Sequence, residues 1–209
     1  MDIITLLMQI IVLIFSVIVH EVSHGYVALL LGDPTARDAG RLTLNPLPHI
    51  DWFMSILLPA FLIFTNAGFV IGGAKPVPIN PSYFKDHKKG NMLTSLAGPA
   101  SNLLLMIICT LLLKLIYVVP ALYSPGLKNF LIIGISMNMT LAAFNLIPIP
   151  PLDGSGVLAF FLPGELAWRY LSIGPYGMLI LMILMGTNLL GLIMRPFLAA
   201  AYWIIHLIL

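Results

Sequence analysis

Two histidines and a glutamate interrupt the first apolar run of the chain, in the pattern His20-Glu21-Val22-Ser23-His24. On a helix, residues at i and i+4 share one face, so both imidazoles can reach one zinc ion. Glu21 then lies about 100° around the helix, where its carboxylate can reach a water molecule at the metal. An ionisable residue near the middle of a spanning helix costs about 2.5–3.5 kcal/mol and is normally retained for function. The pattern therefore predicts a zinc site with Glu21 as its general base.

A third ligand must come from elsewhere, because catalytic zinc takes three protein ligands and keeps one position open. The best candidate is Asp153, in the stretch "NLIPIPPLDGSG" at 145–156. Its prolines stop the helix that ends near Ile147, and Asp153-Gly154 then turns the chain before another apolar stretch. On local sequence alone, an ordinary turn or helix-capping aspartate explains Asp153 equally well.

The composition of the 209-residue chain predicts an integral membrane protein, since 60% of its residues are hydrophobic and only 9% are charged. The net charge of +2 and the lack of a basic run argue against nucleic-acid binding. The single cysteine, Cys109, excludes an intrachain disulfide and is best interpreted as a small packing residue.

Apolar segments long enough to cross a bilayer, which needs about 20 helical residues, predict an all-α polytopic membrane protein. The chain forms one membrane-embedded domain, residues 1–209, with a bundle of about four to six transmembrane helices. A final segment at 196–209 is short for a crossing and is separated from the preceding helix by Arg195-Pro196. The four predicted spans are 3–31, 92–123, 129–147 and 171–194.

Residues 52–71 allow two interpretations, a single crossing or a re-entrant segment that returns to the same side, because Pro59 and later polar residues interrupt the run. A crossing divides the lysines and arginines five against five between the two sides, whereas a re-entrant segment divides them seven against three. The second distribution obeys the positive-inside rule. It also puts Asp153 on the same, cytoplasmic side as the histidines, so both arguments favour the re-entrant segment.

Three motifs resemble the site-2 proteases, a family of intramembrane zinc metalloproteases: "HEVSH", "AGPASN" at 97–102 and "NLIPIPPLDG" at 145–154. The stretches "GRLTLNPLPHID" (40–51) and "GGAKPVPINP" (72–81) resemble the small prokaryotic subgroup without a PDZ domain. The resemblance implies a role for each matching position. The zinc ligands would be His20, His24 and Asp153, and the catalytic carboxylate would be Glu21. Asn145 would contact the substrate backbone. A core helix interface would include Gly98, Pro99 and Asn102.

The resemblance further implies a zinc-dependent endopeptidase of the cell membrane that cleaves single-span membrane proteins within or near the lipid bilayer, with its active site towards the cytoplasm. A helical substrate must unwind before attack, and residues 41–46 or 74–80 could offer it a strand edge in a short β-hairpin near the site. An ordinary loop explains these segments equally well. The alternative function is a metal-ion transporter or channel in which the same histidines and Asp153 form a transit site.

Overall fold

The structure, a computed structural model, describes residues 2–65, 72–187 and 189–209. Throughout these residues the regular elements are helical and no β-strand occurs, so the β-hairpin stays a prediction. Short 3-10 or π turns lie between the longer elements. The α-helices are α1 Ile3–Leu30, α2 Thr35–Asp38, α3 Leu58–Phe64, α4 His87–Val118, α5 Pro125–Asn145, α6 Asp153–Phe161, α7 Gly164–Leu171, α8 Gly174–Gly186 and α9 Leu189–Ile208.

Four helices, α1, α4, α5 and α9, are long and apolar enough to cross a membrane, and α7 with α8 would make a fifth span if their 62° bend lies within one crossing. The outer faces of these helices carry large exposed apolar side chains. This distribution suits a hydrocarbon solvent and supports a multi-pass membrane protein. On α1 alone these side chains include Ile3, Ile4, Leu7, Ile10, Ile11 and Ile14.

Side-chain caps begin α4 and α5 earlier than the apolar segments predicted. Asp86 accepts a hydrogen bond from the backbone N–H of Lys89 at 2.9 Å, and Ser124 accepts one from Leu127 at 3.5 Å. These caps satisfy N–H groups that have no partner inside the helix. The polar first turn of α4 therefore belongs to the helix, although hydropathy excludes it.

The predicted break at Arg195-Pro196 is wrong, and so is the predicted span at 171–194. The helix that starts at Gly174 ends at Gly186, where the hydroxyl of Thr187 donates to the carbonyl of Ile183 at 2.9 Å. Pro196 instead lies inside α9. A membrane helix tolerates such a proline because neighbouring helices can compensate the lost hydrogen bond. The fourth long apolar helix is therefore Leu189–Ile208.

The long helix α4 is the centre of the bundle and packs against α1, α5 and α6. One buried apolar cluster joins α4, α5 and α9, and its members are Met106, Leu113, Ile116, Leu131, Ile135, Met139, Ala201 and Ile205. A second cluster joins the end of α5 to α8 and α9 through the proline-rich loop, and its members are Ala143, Ile147, Leu152, Leu181 and Met194. The first cluster therefore packs α5 against α4, and the second packs the end of α5 and the loop before α6 against α8 and α9.

The segment predicted to be re-entrant starts as a helical stretch, Trp52–Leu57 followed by α3. Asp51 caps it by accepting from the N–H groups of Phe53 and Met54 at 3.0 and 2.8 Å. Gly73 lies back beside this start, since its N–H donates to the carbonyl of Met54 at 3.0 Å and its carbonyl accepts from Ser55 at 2.7 Å. The predicted segment, 52–71, includes residues 66–71, which lie outside the described residues.

Candidate metal centre

Three side chains that are far apart in the sequence converge between α1 and α6. The Nε2 atoms of His20 and His24 lie 3.1 Å apart. Asp153 places its Oδ2 3.1 Å from Nε2 of His20 and its Oδ1 3.4 Å from Nε2 of His24. Both histidines are buried, and the three residues form a group that could hold one metal ion. The predicted ligand set is thus brought together.

The proline-rich loop after α5 delivers Asp153 as the first residue of α6. Tyr170 holds the loop from outside by donating its hydroxyl to the carbonyl of Pro148 at 2.7 Å. Gly154 is required by close approach, because a Cβ at this position would lie 2.1 Å from the carbonyl oxygen of Leu146. The end of α5 therefore packs directly on the start of α6, which fixes the backbone beside the aspartate.

The other ring nitrogens of the histidines face hydrogen-bond acceptors on α4. Nδ1 of His24 lies 2.7 Å from the carbonyl oxygen of Thr94, and Nδ1 of His20 lies 2.7 Å from Oδ1 of Asn102. A carbonyl oxygen can only accept, so the proton of a neutral His24 ring sits on Nδ1. Nε2 then carries a lone pair directed at the other ligand atoms, which is the arrangement of a metal-binding histidine.

The ligand atoms fit a zinc ion in number, type and spacing. Within the part of the chain that the structure describes, Oδ2 of Asp153 is buried without a hydrogen-bond partner, and the two Nε2 atoms face each other. Lone pairs at such short range repel unless a cation lies between them. Two nitrogens and a carboxylate oxygen are zinc ligands, and tetrahedral bonds of about 2.0–2.1 Å separate ligand atoms by about 3.3 Å. The distances between the three residues agree with this value.

Gly98 of α4 leaves the space that these groups need. A Cβ on Gly98 would lie 2.5 Å from Nε2 of His20 and 2.5 Å from Nε2 of His24, far inside van der Waals contact. Thr94, Gly98 and Asn102 follow one another at intervals of four, so they share one face of α4. This face supplies one acceptor to each imidazole and a gap between them.

Glu21 lies beside the group and is tied to the chain that follows the predicted re-entrant segment. Its Oε2 accepts a hydrogen bond from the backbone N–H of Val77 at 3.0 Å. Among the described residues, Oε1 has no hydrogen-bond partner and is free to accept a proton. We call residues 75–80 the strap, because they lie across Glu21.

Two further side chains hold the strap at its ends. Arg41 donates to the carbonyl of Lys75 at 2.7 Å, and Asp33 accepts from the N–H of Asn80 at 2.6 Å. Burial alone would raise the pKa of Asp33, but hydrogen bonds from Thr35 and Asn80 outweigh it and hold the pKa below its usual value. The carboxylate therefore stays ionised and keeps its hold on the strap throughout the neutral pH range.

Asn145 is not part of the converging group. It lies at the end of α5, where its side-chain amide donates to the carbonyl of Leu141 at 3.0 Å. The predicted contact between Asn145 and a substrate backbone therefore remains a prediction.

Sequence reasoning missed the groups that surround the ligands. Asn102 was predicted only as part of a helix interface, and residues 74–80 only as one of two candidate strand edges for the substrate. A signal for Asn102 does exist in the sequence, since an amide in the middle of an apolar helix needs a partner. The contact between Glu21 and Val77 has no such signal, because a backbone N–H donor is available at almost every residue.

Comparison with known proteins identifies relatives along most of the chain. It is 39% identical over 195 residues to "Putative zinc metalloprotease YwhC" of Bacillus subtilis, covering 91% of this chain and 85% of that protein. A protein of the same description, Rip2 of Mycolicibacterium smegmatis, is 31% identical over 91% of this chain and 70% of its own length. A third, MJ0611 of Methanocaldococcus jannaschii, is 33% identical over 51% of this chain and 52% of its own length.

No protein-family model matches the chain, and no solved structure matches it significantly. The match to YwhC is nevertheless long and covers both sequences almost completely. Two observations identify zinc as the cofactor. These relatives are named as zinc metalloproteases, and the chain has a group that could hold a metal ion, formed by His20, His24 and Asp153. The chain therefore belongs to the zinc metalloprotease family that includes YwhC and Rip2.

Proposed function

We propose that the protein is a site-2-protease-like intramembrane endopeptidase that hydrolyses peptide bonds in or near the transmembrane segments of single-span membrane proteins. The observation that carries this proposal is that Asp153 converges with His20 and His24, which lie with Glu21 on a helix that is long and apolar enough to cross a membrane. His20 is ten residues before the end of α1, about 15 Å of helical rise. The reaction would therefore take place at membrane depth.

In the proposed mechanism, His20, His24 and Asp153 hold zinc. When bound, zinc supplies the Lewis acidity that activates water and polarises the scissile carbonyl. Glu21 accepts the proton of the attacking water at its free oxygen and passes it to the leaving amine. The N–H of Val77 keeps the Glu21 carboxylate in one orientation during both transfers. Asn145 would hold the substrate backbone.

The strap is the proposed docking edge for the unwound substrate. Its N–H groups at Val77 and Asn80 are occupied by Glu21 and Asp33, and its ends are fixed by side chains outside the strap. An extended peptide could align beside residues 74–80, or beside 41–46, and add a strand in a β-hairpin arrangement. Prolines on both sides of Val77 have no N–H group, so an added peptide would bond mainly to the carbonyl oxygens of the strap.

Val77→Pro should impair cleavage and leave the zinc content intact. The substitution removes the N–H that orients Glu21, yet it is not a change to any of the three ligands. We expect kcat to fall about tenfold or more, because misplacing a general base weakens its proton transfer. The measurement is a cleavage rate alongside zinc per chain. Thr43→Pro removes a backbone N–H from the other segment without removing a bond to Glu21, so it tests strand addition alone, and normal cleavage by both variants would refute strand addition.

The same proposal includes the topology of the chain. A re-entrant segment at 52–71 is supported by the hydrogen bonds that join Gly73 to Met54 and Ser55, and by the distribution of lysine and arginine between the two sides. The site then opens towards the cytoplasmic side of the cell membrane. Residues 1–209 act as one membrane-embedded domain whose partners are lipid and single-span substrates.

Reconstitution distinguishes the protease from the metal-ion transporter. Purified wild type and Glu21→Gln are placed in liposomes with a panel of single-span substrates, and both peptide cleavage and zinc uptake are measured. The protease proposal expects cleavage by the wild type alone and no uptake by either protein. Zinc uptake without cleavage would favour the transporter instead. A transit site gives no reason for a carboxylate with one free oxygen beside the ligands.

A further inference from the structure

A chain of buried amides connects His20 to the backbone of α5. Asn102 of α4 and Asn138 of α5 have exposed fractions of only 0% and 2%. Nδ2 of Asn138 donates to the carbonyl of Gly134 at 2.9 Å, and Nδ2 of Asn102 donates to Oδ1 of Asn138 at 3.0 Å. Oδ1 of Asn102 then faces Nδ1 of His20 at 2.7 Å. Three helices thus contribute to one line of hydrogen bonds.

The direction of this line is set at its far end. The carbonyl of Gly134 can only accept, so the amide nitrogen of Asn138 must point towards it and the amide oxygen must point towards Asn102. Because the amide oxygen of Asn138 can only accept, the amide nitrogen of Asn102 must point towards it. The amide oxygen of Asn102 then points towards His20. An acceptor at this place requires a proton on Nδ1 of His20. Nε2 is then left with its lone pair.

The opposite orientation would disable the ligand. If the amide of Asn102 were reversed, its N–H group would face Nδ1 of His20, and a neutral ring would then carry its proton on Nε2. That proton would lie between His20 and the other two ligand residues, which are within 3.1 Å of Nε2. His24 avoids this problem because its acceptor is a backbone carbonyl, which cannot turn.

We propose that Asn102 and Asn138 are positioning residues that fix the tautomer and ring orientation of His20 for metal binding. This inference rests on the proposed metal-binding role of His20, but not on the reaction that the metal serves. Within the described structure Asn138 makes no hydrogen bond to any of the three ligand residues, so the line of hydrogen bonds connects it to the site through Asn102.

The test measures zinc affinity by competition with a chelator. Asn102→Leu replaces the acceptor by an apolar side chain of similar size, and zinc affinity should fall about 10–100-fold, the usual effect of removing an outer partner of a metal ligand. Asn138→Leu should lower the affinity in the same direction but by less, because Asn102 then keeps only its longer hydrogen bond, 3.4 Å to the carbonyl of Ser16, to orient it. Asn138→Asp should keep the zinc affinity near the wild-type value. One oxygen of a protonated carboxyl group still accepts from Asn102, and its O–H still donates to the carbonyl of Gly134.

A second readout separates positioning from simple packing. In ¹⁵N spectra of the zinc-free protein at alkaline pH, His20 of the wild type should carry its proton on Nδ1, and Asn102→Leu should move it to Nε2. The matched control is Thr110→Val, because Thr110 is equally buried on α4 and donates its hydroxyl to the carbonyl of Met106, outside the line of amides. This variant should keep wild-type zinc affinity and the wild-type tautomer.

Each outcome decides the inference. Wild-type zinc affinity in both leucine variants, or a wild-type His20 with its proton on Nε2, would overturn it. If one leucine variant does not fold, the other variant and the wild-type spectrum still give an answer. Failure of the protease proposal is recognised separately, since a protein that binds zinc through this network and cleaves no peptide would refute only the proposed reaction. His20→Ala that keeps normal zinc affinity would refute the metal role itself.

Discussion

Glu21→Gln should abolish peptide cleavage and leave one zinc ion per chain in place. A glutamine side chain has the same shape and still accepts the N–H of Val77, so the strap keeps its position. It cannot take up a proton from water, which removes general acid–base catalysis and lowers kcat by about 10²–10⁴-fold. The expected result is therefore a protein with normal metal content and almost no activity. The measurements are cleavage of a reconstituted single-span substrate and elemental analysis of zinc.

The matched control for this prediction is Glu165→Gln. Glu165 is exposed on α7, where it pairs with Arg169 at 2.6 Å, so the same chemical change takes place on a solvent-exposed side chain outside the ligand group. Exposed pairs of this kind contribute little to stability, and activity should remain at the wild-type rate. Full activity of Glu21→Gln would exclude Glu21 as the general base.

Gly98→Ala should prevent zinc binding. The added methyl group would lie 2.5 Å from Nε2 of both His20 and His24, and a backbone-attached atom at that distance must displace at least one imidazole. Since zinc ligands hold their positions to within about 0.2 Å, the displaced ring cannot complete the site. We expect zinc content to fall to a small fraction of one ion per chain and cleavage to fall with it.

Gly191→Ala is the control for this substitution. Gly191 also lies in a long apolar helix, but within the described ranges a Cβ at this position would meet no heavy atom within 4 Å apart from its own helix backbone and chain neighbours. The variant should bind zinc and cleave substrate like the wild type. Normal zinc content in Gly98→Ala would show that the metal does not bind where the two histidines and α4 meet.

Two of the three candidate ligands could be predicted because they conflict with their surroundings. Imidazoles and a carboxylate within an apolar helix need a joint explanation, and the spacing of His20 and His24 supplies the geometry of a metal site. Asp153 was harder to predict, since an aspartate before a glycine also suits a turn. The requirement for a third ligand and the charge distribution resolved this ambiguity, and the structure brings Asp153 to both histidines.

The surroundings of the ligands could not be predicted in the same way. Asn102 reaches His20 only because α4 crosses α1 with Thr94, Gly98 and Asn102 facing it, and that crossing depends on packing throughout the bundle. Some predicted helix boundaries were wrong for local reasons. Hydropathy excludes the polar first turn of α4, and Pro196 indicates a break where the membrane helix α9 continues.

The central claim is that His20, His24 and Asp153 hold the same zinc ion. The most direct test is the zinc content of the purified protein, measured in parallel for the wild type, His20→Ala, His24→Ala and Asp153→Ala. The account predicts one zinc ion per wild-type chain and a large loss in each of the three variants, because each removes one ligand of a three-residue site. Full zinc content in any one of the variants would show that its residue is not a ligand, and full content in all three would contradict the account.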